Sequence, residues 1–212
     1  MTKATISLLL VGLMLQAACT ETAPDSSFLP SKQSLTTYGP FEVRQHSDQP
    51  LSTRARNAFD GAVNRGDGAF GAFYIRPDGR AWGLVTGRYS ENDAKRMAKI
   101  DCDIVSGADC ILFATFVPRD EPTEHTIPKN HTGVLAKAKR ATKSGRYLAI
   151  ASNPAGYTGF GIDYATQAEA KSNAIKACAE STQTGLANEE ARFRSAYEAA
   201  GLLECKIFGV YR

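Results

Sequence analysis

The residues with the most chemical potential in this 212-residue chain are its five cysteines, Cys19, Cys102, Cys110, Cys178 and Cys205. Thiols can bridge, hold a metal or attack a substrate, and spacing helps to separate these uses. Zinc sites built from cysteine pairs use gaps of about two to four residues. Here Cys102 and Cys110 enclose seven residues, and Cys178 and Cys205 enclose 26. Bridging therefore fits better than zinc ligation. Four cysteines allow three connectivities, and counting alone does not choose among them. The odd cysteine is Cys19, near the N-terminus, where a different chemistry applies.

Other candidates are weaker. The three histidines, His46, His125 and His131, lack metal-like spacing, and no G-x-S-x-G nucleophile elbow occurs. Gly66-Asp67-Gly68-Ala69-Phe70-Gly71 spells G-x-G-x-x-G but precedes a strand-like run, whereas a dinucleotide loop must follow a strand and open a helix. It overlaps the tripeptide Arg65-Gly66-Asp67, too short to carry an adhesion function. Asp120, Glu121 and Glu124 could do acid–base work on a sugar polymer, yet loop acids lack the apolar surround that tunes such groups. From His125 to Ile162 there is no acid, while Lys129, Lys137, Lys139, Arg140, Lys143 and Arg146 are all basic. Such a one-signed stretch suits an anionic partner or a solvated linker. Asn130-His131-Thr132 is a glycosylation sequon, idle under a bacterial signal. A net charge of +3 does not point to nucleic acid, and no motif calls for a cofactor or a metal.

The elements that position these residues begin with export. Lys3, an apolar run from Ala4 to Leu15, and Gln16-Ala17-Ala18-Cys19 form a signal peptide over residues 1–19. The run is shorter than the roughly 20 residues that span a bilayer. Leu15 to Cys19 resembles a bacterial lipobox, whose cysteine is diacylated and becomes the new N-terminus. Gln16 stands where that pattern wants an aliphatic residue, so ordinary cleavage that releases a periplasmic or secreted protein is the alternative. Lipidation of Cys19 would leave four cysteines for two bridges in an oxidising compartment. Residues 20–65 read as a polar, disordered tether with one possible short helix from Ser52 to Asn64.

An internal repeat follows. A shift of 76 residues places Gly71–Ile75 on Tyr147–Ala151, Gly83 on Gly159, Ser90 on Thr166, Ala94 on Ala170, Ala98 on Ala174 and Cys102 on Cys178. Cys110 and Cys205 align after a 19-residue insertion, and each has Phe three residues on. The copies span 66–118 and 146–212, separated by a basic connector over 119–145. Each reads as a hairpin, a helix capped by Ser90 or Thr166, and a strand opened by the second cysteine. Around Asn188 to Ala200 the insertion reads as an extra helix. Matched positions make Cys102–Cys110 and Cys178–Cys205 the expected bridges, each contributing about 2–4 kcal/mol.

At these residues the chain resembles an exported bacterial family, that of domain of unknown function 4189, in two copies. The pattern is a hairpin, a capped helix of the form A-x-x-x-A-x-x-x-C, and a second cysteine opening a strand. Ala94, Ala98, Cys102 and Cys110 fit it, as do Ala170, Ala174, Cys178 and Cys205. The long insertion before Cys205 departs from the compact form. The resemblance implies fold and export, and no chemistry.

The expectation is an α+β protein of two β-β-α-β repeats sharing one antiparallel sheet of about six strands, with helices on a face. Its function would be that of an exported, lipid-anchored binding module of the cell envelope. The expected partner is another envelope protein, in the manner of an inhibitor or immunity factor. Weak candidate contacts are Lys137, Lys139, Arg140, Lys143 and Arg146. An envelope-polymer hydrolase using Asp120 to Glu124, and a structural spacer lipoprotein, are the alternatives. Exposed Trp82, Tyr89 or Tyr157 would favour protein recognition.

Overall fold

Three hydroxyl residues start the helices that matter most. Ser52, Ser90 and Thr166 lie in extended backbone, and their side chains accept the N–H of Ala55, Asp93 and Glu169. Thr166 and Glu169 form the full reciprocal box, satisfying two orphan donors at once. The computed structural model describes residues 36–37, 39–66, 69–107, 109–120, 126–127 and 132–212. The signal, Cys19 and residues 20–35 lie outside them.

In chain order the elements are β1 (Thr36–Thr37), β2 (Phe41–Gln45), α1 (Thr53–Arg65), β3 (Phe70–Ile75), β4 (Trp82–Arg88), α2 (Glu91–Ser106) and β5 (Ile111–Pro118). Then come β6 (Thr126–Ile127), α3 (Thr132–Lys143), β7 (Tyr147–Ser152), β8 (Thr158–Tyr164), α4 (Gln167–Ala187), α5 (Ala191–Ala199) and β9 (Lys206–Tyr211). The strands make a four-stranded antiparallel sheet, β2-β5-β3-β4, and a three-stranded one, β8-β7-β9, with a short parallel pair β1-β6. The single six-stranded sheet expected from sequence does not form. Where β4 nears β9 the sheets meet through side chains: Tyr89 packs at a tilt against Phe208 with centroids 4.2 Å apart. The turn at Ala155–Gly156 fills the space beside Arg88. No ladder joins the two sheets among the described residues.

Each sheet lies between two helices. On one face of the first sheet, Ala94, Met97 and Ala98 of α2 cover Ala72 and Val85. On the other, Phe59 of α1 packs among Phe73, Phe113 and Phe116, with centroids 5.4, 5.5 and 5.8 Å away. Those ring contacts contribute beyond area burial alone. In the second sheet, Ala170 and Ala174 of α4 cover Ala149 and Ala151, while Val134 and Ala138 of α3 join Leu148, Ile150 and Tyr211 on the far face.

The two units share connectivity, yet they are not gapless copies. Gly83 pairs with Tyr74, and Gly159 with Ala151, so the first strands are related by 77 residues and the glycines by 76. The β7–β8 loop is one residue shorter than the β3–β4 loop. A one-residue slip moves a whole strand to the opposite face. The ungapped match set Phe73 on Ala149, but Phe73 faces α1 and Ala149 faces α4. With the slip, Ala72 and Ala149 both face their helices, and Phe73 and Ile150 both face away. The bulges agree: pairing skips Phe113 after Phe73 and skips Phe208 after Ile150.

Two segments read as connections belong to the fold. Phe41–Gln45, within the supposed tether, pairs with β5, and Phe41 sits edge-on to Phe116 at 5.3 Å. The basic connector contains α3. Its small apolar residues at Val134, Ala138 and Ala141 fall on one helical face, masked in the sequence by the cations between them.

Candidate functional site

The staples can be placed first. Cys102 bonds to Cys110, and Cys178 to Cys205, each with 6.1 Å between Cα atoms. Both first cysteines sit inside their helices, toward the sheet, because a glycine opposite lets the helix approach. A Cβ on Gly83 would fall 2.0 Å from the Ala98 carbonyl oxygen, and one on Gly159 2.0 Å from the Cys178 nitrogen. Glycine is required there for close approach, and the bridge locks the helix at that distance. Beneath the second bridge Asn153, 4% exposed, donates to the Thr182 hydroxyl (2.9 Å) and the Leu203 carbonyl (3.2 Å) and accepts from the Tyr157 N–H (3.1 Å). The first bridge has a simpler support: the Cys110 N–H donates to Asp103 Oδ1 at 2.9 Å.

The basic residues gather around the end of α3. Lys137, Arg140, Lys143 and Arg146 are exposed, and all but Lys143 line a shallow hollow together with Ser144, Ile162 and Asp163. Lys139 lies on the same helix. Arg146 is already engaged: its Nε meets Asp163 Oδ1 at 2.7 Å, and its Nη2 donates to the Asp163 carbonyl at 2.6 Å. Asp163 holds φ 70°, a left-handed conformation that a non-glycine residue adopts at a cost. Arg146 therefore shapes the hollow, Lys137 and Arg140 supply its open charge, and Lys143 adds a further exposed cation on the same helix.

A second site emerges at the seam between the units, where sequence reading found nothing. Tyr197 of α5 donates to Asp101 Oδ1 of α2 at 2.6 Å, and Arg96 Nη2 donates to the Ala200 carbonyl at 2.5 Å. These bonds dock the inserted helix on the first unit. Burial pushes the Asp101 carboxyl up, against the Tyr197 hydrogen bond and the Arg88 charge, which hold it down. Burial and the Asp101 partner push the Tyr197 hydroxyl well above its ordinary value. Arg88 ends β4 with its guanidinium half-buried; burial lowers its pKa, and nearby Asp101 opposes the shift. Its Nη1 donates to the Thr86 carbonyl at 3.0 Å and its Nε to Met97 Sδ at 3.4 Å. Gly156, at φ 88°, makes room for it, since a Cβ there would sit 2.4 Å from Arg88 Nη1. A cavity of about 210 Å³ opens beside this group, bounded by Arg88, Tyr89, Asp93, Asn153, Glu204 and Phe208.

The remaining sequence candidates do not converge. His46 Nε2 lies 3.0 Å from the Thr115 hydroxyl, on the far sheet edge. Asp120 is exposed, while Glu121, Glu124, His125 and His131 fall outside the described residues. Trp82 and Tyr157 pack against hydrophobic cores, and Tyr89 does so against Phe208, so none is a free aromatic anchor. Among the described residues no cluster of histidine, cysteine or acid suits a metal, and no helix is long and apolar enough to cross a membrane. No protein-family model, curated protein or solved structure matches the chain.

Proposed function

We propose that this chain is an exported, lipid-anchored binding module of the cell envelope, and that α3 is the face it presents to an acidic protein partner. It would act by occupying its partner, as an inhibitor or immunity factor does. The observation that carries the reading is the open charge of Lys137, Arg140 and Lys143 on one helix, beside an acid already held by Arg146. Two bridges that tie helix to sheet in each unit support an oxidising destination. They also make a stiff platform, which lowers the cost of association. We further infer that the units descend from one duplicated β-β-α-β element related to the exported 4189 family. Matched glycines, helix caps and bridges support that descent.

The test uses the full chain with its own signal, recovered from the envelope of the producing cell. Intact mass reads whether Cys19 is acylated. Affinity capture is then compared between wild type and Lys137→Glu/Arg140→Glu/Lys143→Glu. The proposal expects a protein that cross-links to α3, weakens with salt and is lost on charge reversal. A captured protein retained by the triple variant, or turnover of envelope polymer by the purified chain, would overturn it.

A further inference from the structure

The seam cavity carries more than packing. A guanidinium has five N–H donors in a fixed fork and cannot shed its charge. Protein acceptors take up Arg88 Nε and one N–H of Nη1. Among the described residues the other donors have no acceptor, and no carboxylate lies within ion-pairing distance. Unmet donors on a half-buried guanidinium that lines a cavity ask for an explanation, and a ligand is one. On the same wall, Asp93 Oδ2 accepts from Ser90 Oγ at 2.8 Å, while Oδ1 has no donor among the described residues. Arg88 and Asp93 thus share one cavity without pairing to each other. Glu204 and Lys206, 3.1 Å apart, sit at the same site as an exposed pair that cancels itself. Tyr89 and Phe208 supply an apolar wall.

We propose that this cavity binds a small zwitterion of the amino-acid class, its carboxylate on the Arg88 fork and its ammonium toward Asp93. Arginine matches a carboxylate with two parallel hydrogen bonds, which a bare point charge cannot do. A simple anion such as phosphate would also face Asp93, so the mixed wall selects against it. The size suits the same class: about 210 Å³ lies below the range of most drug-sized sites and leaves room for little more than one residue. The aromatic pair then meets a ligand side chain. This site lies apart from the α3 face and does not depend on it.

The experiment is calorimetric titration of the mature, disulfide-intact protein with a panel of L- and D-amino acids. Propionate, ethylamine and inorganic phosphate are the controls. At least one amino acid should bind, and propionate should bind about tenfold or more weakly than alanine, because each charge-assisted bond contributes. Arg88→Gln should lose about tenfold or more of the affinity. Should that variant unfold, Asp93→Asn tests the amine end, and amide shifts in the wild type should cluster at residues 88–93, 153–156 and 204–208. The α3 triple variant should bind as wild type does. Binding of no amino acid, equal binding of propionate and alanine, undiminished binding by the variants, or shifts elsewhere would each overturn the assignment.

Discussion

The two units solve one packing problem with different outer helices, and the difference separates what holds the fold from what can meet a partner. Each has a hairpin, a helix set close by a strand glycine, and a bridge from that helix to the next strand. Beyond this shared part they diverge. The first unit covers its far face with α1 and an aromatic cluster around Phe59, and gains β2 at its edge. The second covers the same face with α3, whose buried side is small and aliphatic and whose open side is basic. It also carries α5 between Cys178 and Cys205, and α5 docks back on the first unit. What is common is structural; what is unshared covers the outer faces of the sheets and builds the seam.

The strongest way to break that comparison is to test the shared glycines. Gly83→Val and Gly159→Val should each cost at least about 3 kcal/mol or prevent folding, since the new Cβ meets helix backbone that cannot give way. Chemical denaturation reads this, and tolerance at one site would mean the two helices are not equivalently seated. The bridges sharpen it next. Replacing Cys178 and Cys205 by alanine should cost about 3.5 kcal/mol, against about 2.5 kcal/mol for Cys102 and Cys110, because the longer loop frees more unfolded-state entropy. The corresponding sequence separations are 27 and 8. An inverted order would place the main constraint elsewhere.

The seam gives a smaller effect with a defined sign. Tyr197→Phe should cost about 1–2 kcal/mol by leaving Asp101 without its donor. The Asp101 pKa is raised in the folded state from an ordinary value of 3.8, so the folded state binds this proton more tightly than the unfolded one. The resulting penalty is absent below pH 3.8, grows as pH rises through the raised pKa, and is constant above it. Stability of Asp101→Asn relative to wild type should therefore rise with pH across that window and then level off. A flat difference would show that Asp101 is not held in the buried seam. The smallest effect on stability belongs to α3. The Lys137, Arg140 and Lys143 charge reversals should change unfolding free energy by less than about 0.5 kcal/mol while abolishing partner capture.

Local chemistry made much of this legible in the sequence. The helix starts at Ser52, Ser90 and Thr166 are each set by a residue and its neighbours three positions on, and the matched cysteines marked the bridges. The strand register was harder, because Gly71–Ile75 and Tyr147–Ala151 are continuous apolar and aromatic runs that align about equally well with or without a one-residue slip. Only the pairing with β5 and β9 fixes which face each residue takes. The α3 helix was hidden because Lys137, Lys139, Arg140 and Lys143 are interleaved with its apolar residues. The seam had no linear signal: Asp101 and Tyr197 lie 96 residues apart, and no motif joins Arg88 to Gly156.

The measurement closest to the heart of the account is peptide mapping without reduction, on protein taken from the envelope. Linked peptides should join Cys102 to Cys110 and Cys178 to Cys205, with neither joined across the units. Free thiols at these four positions, or any bridge between the first pair and the second, would contradict both the independent stapling of the two units and the exported destination built on it.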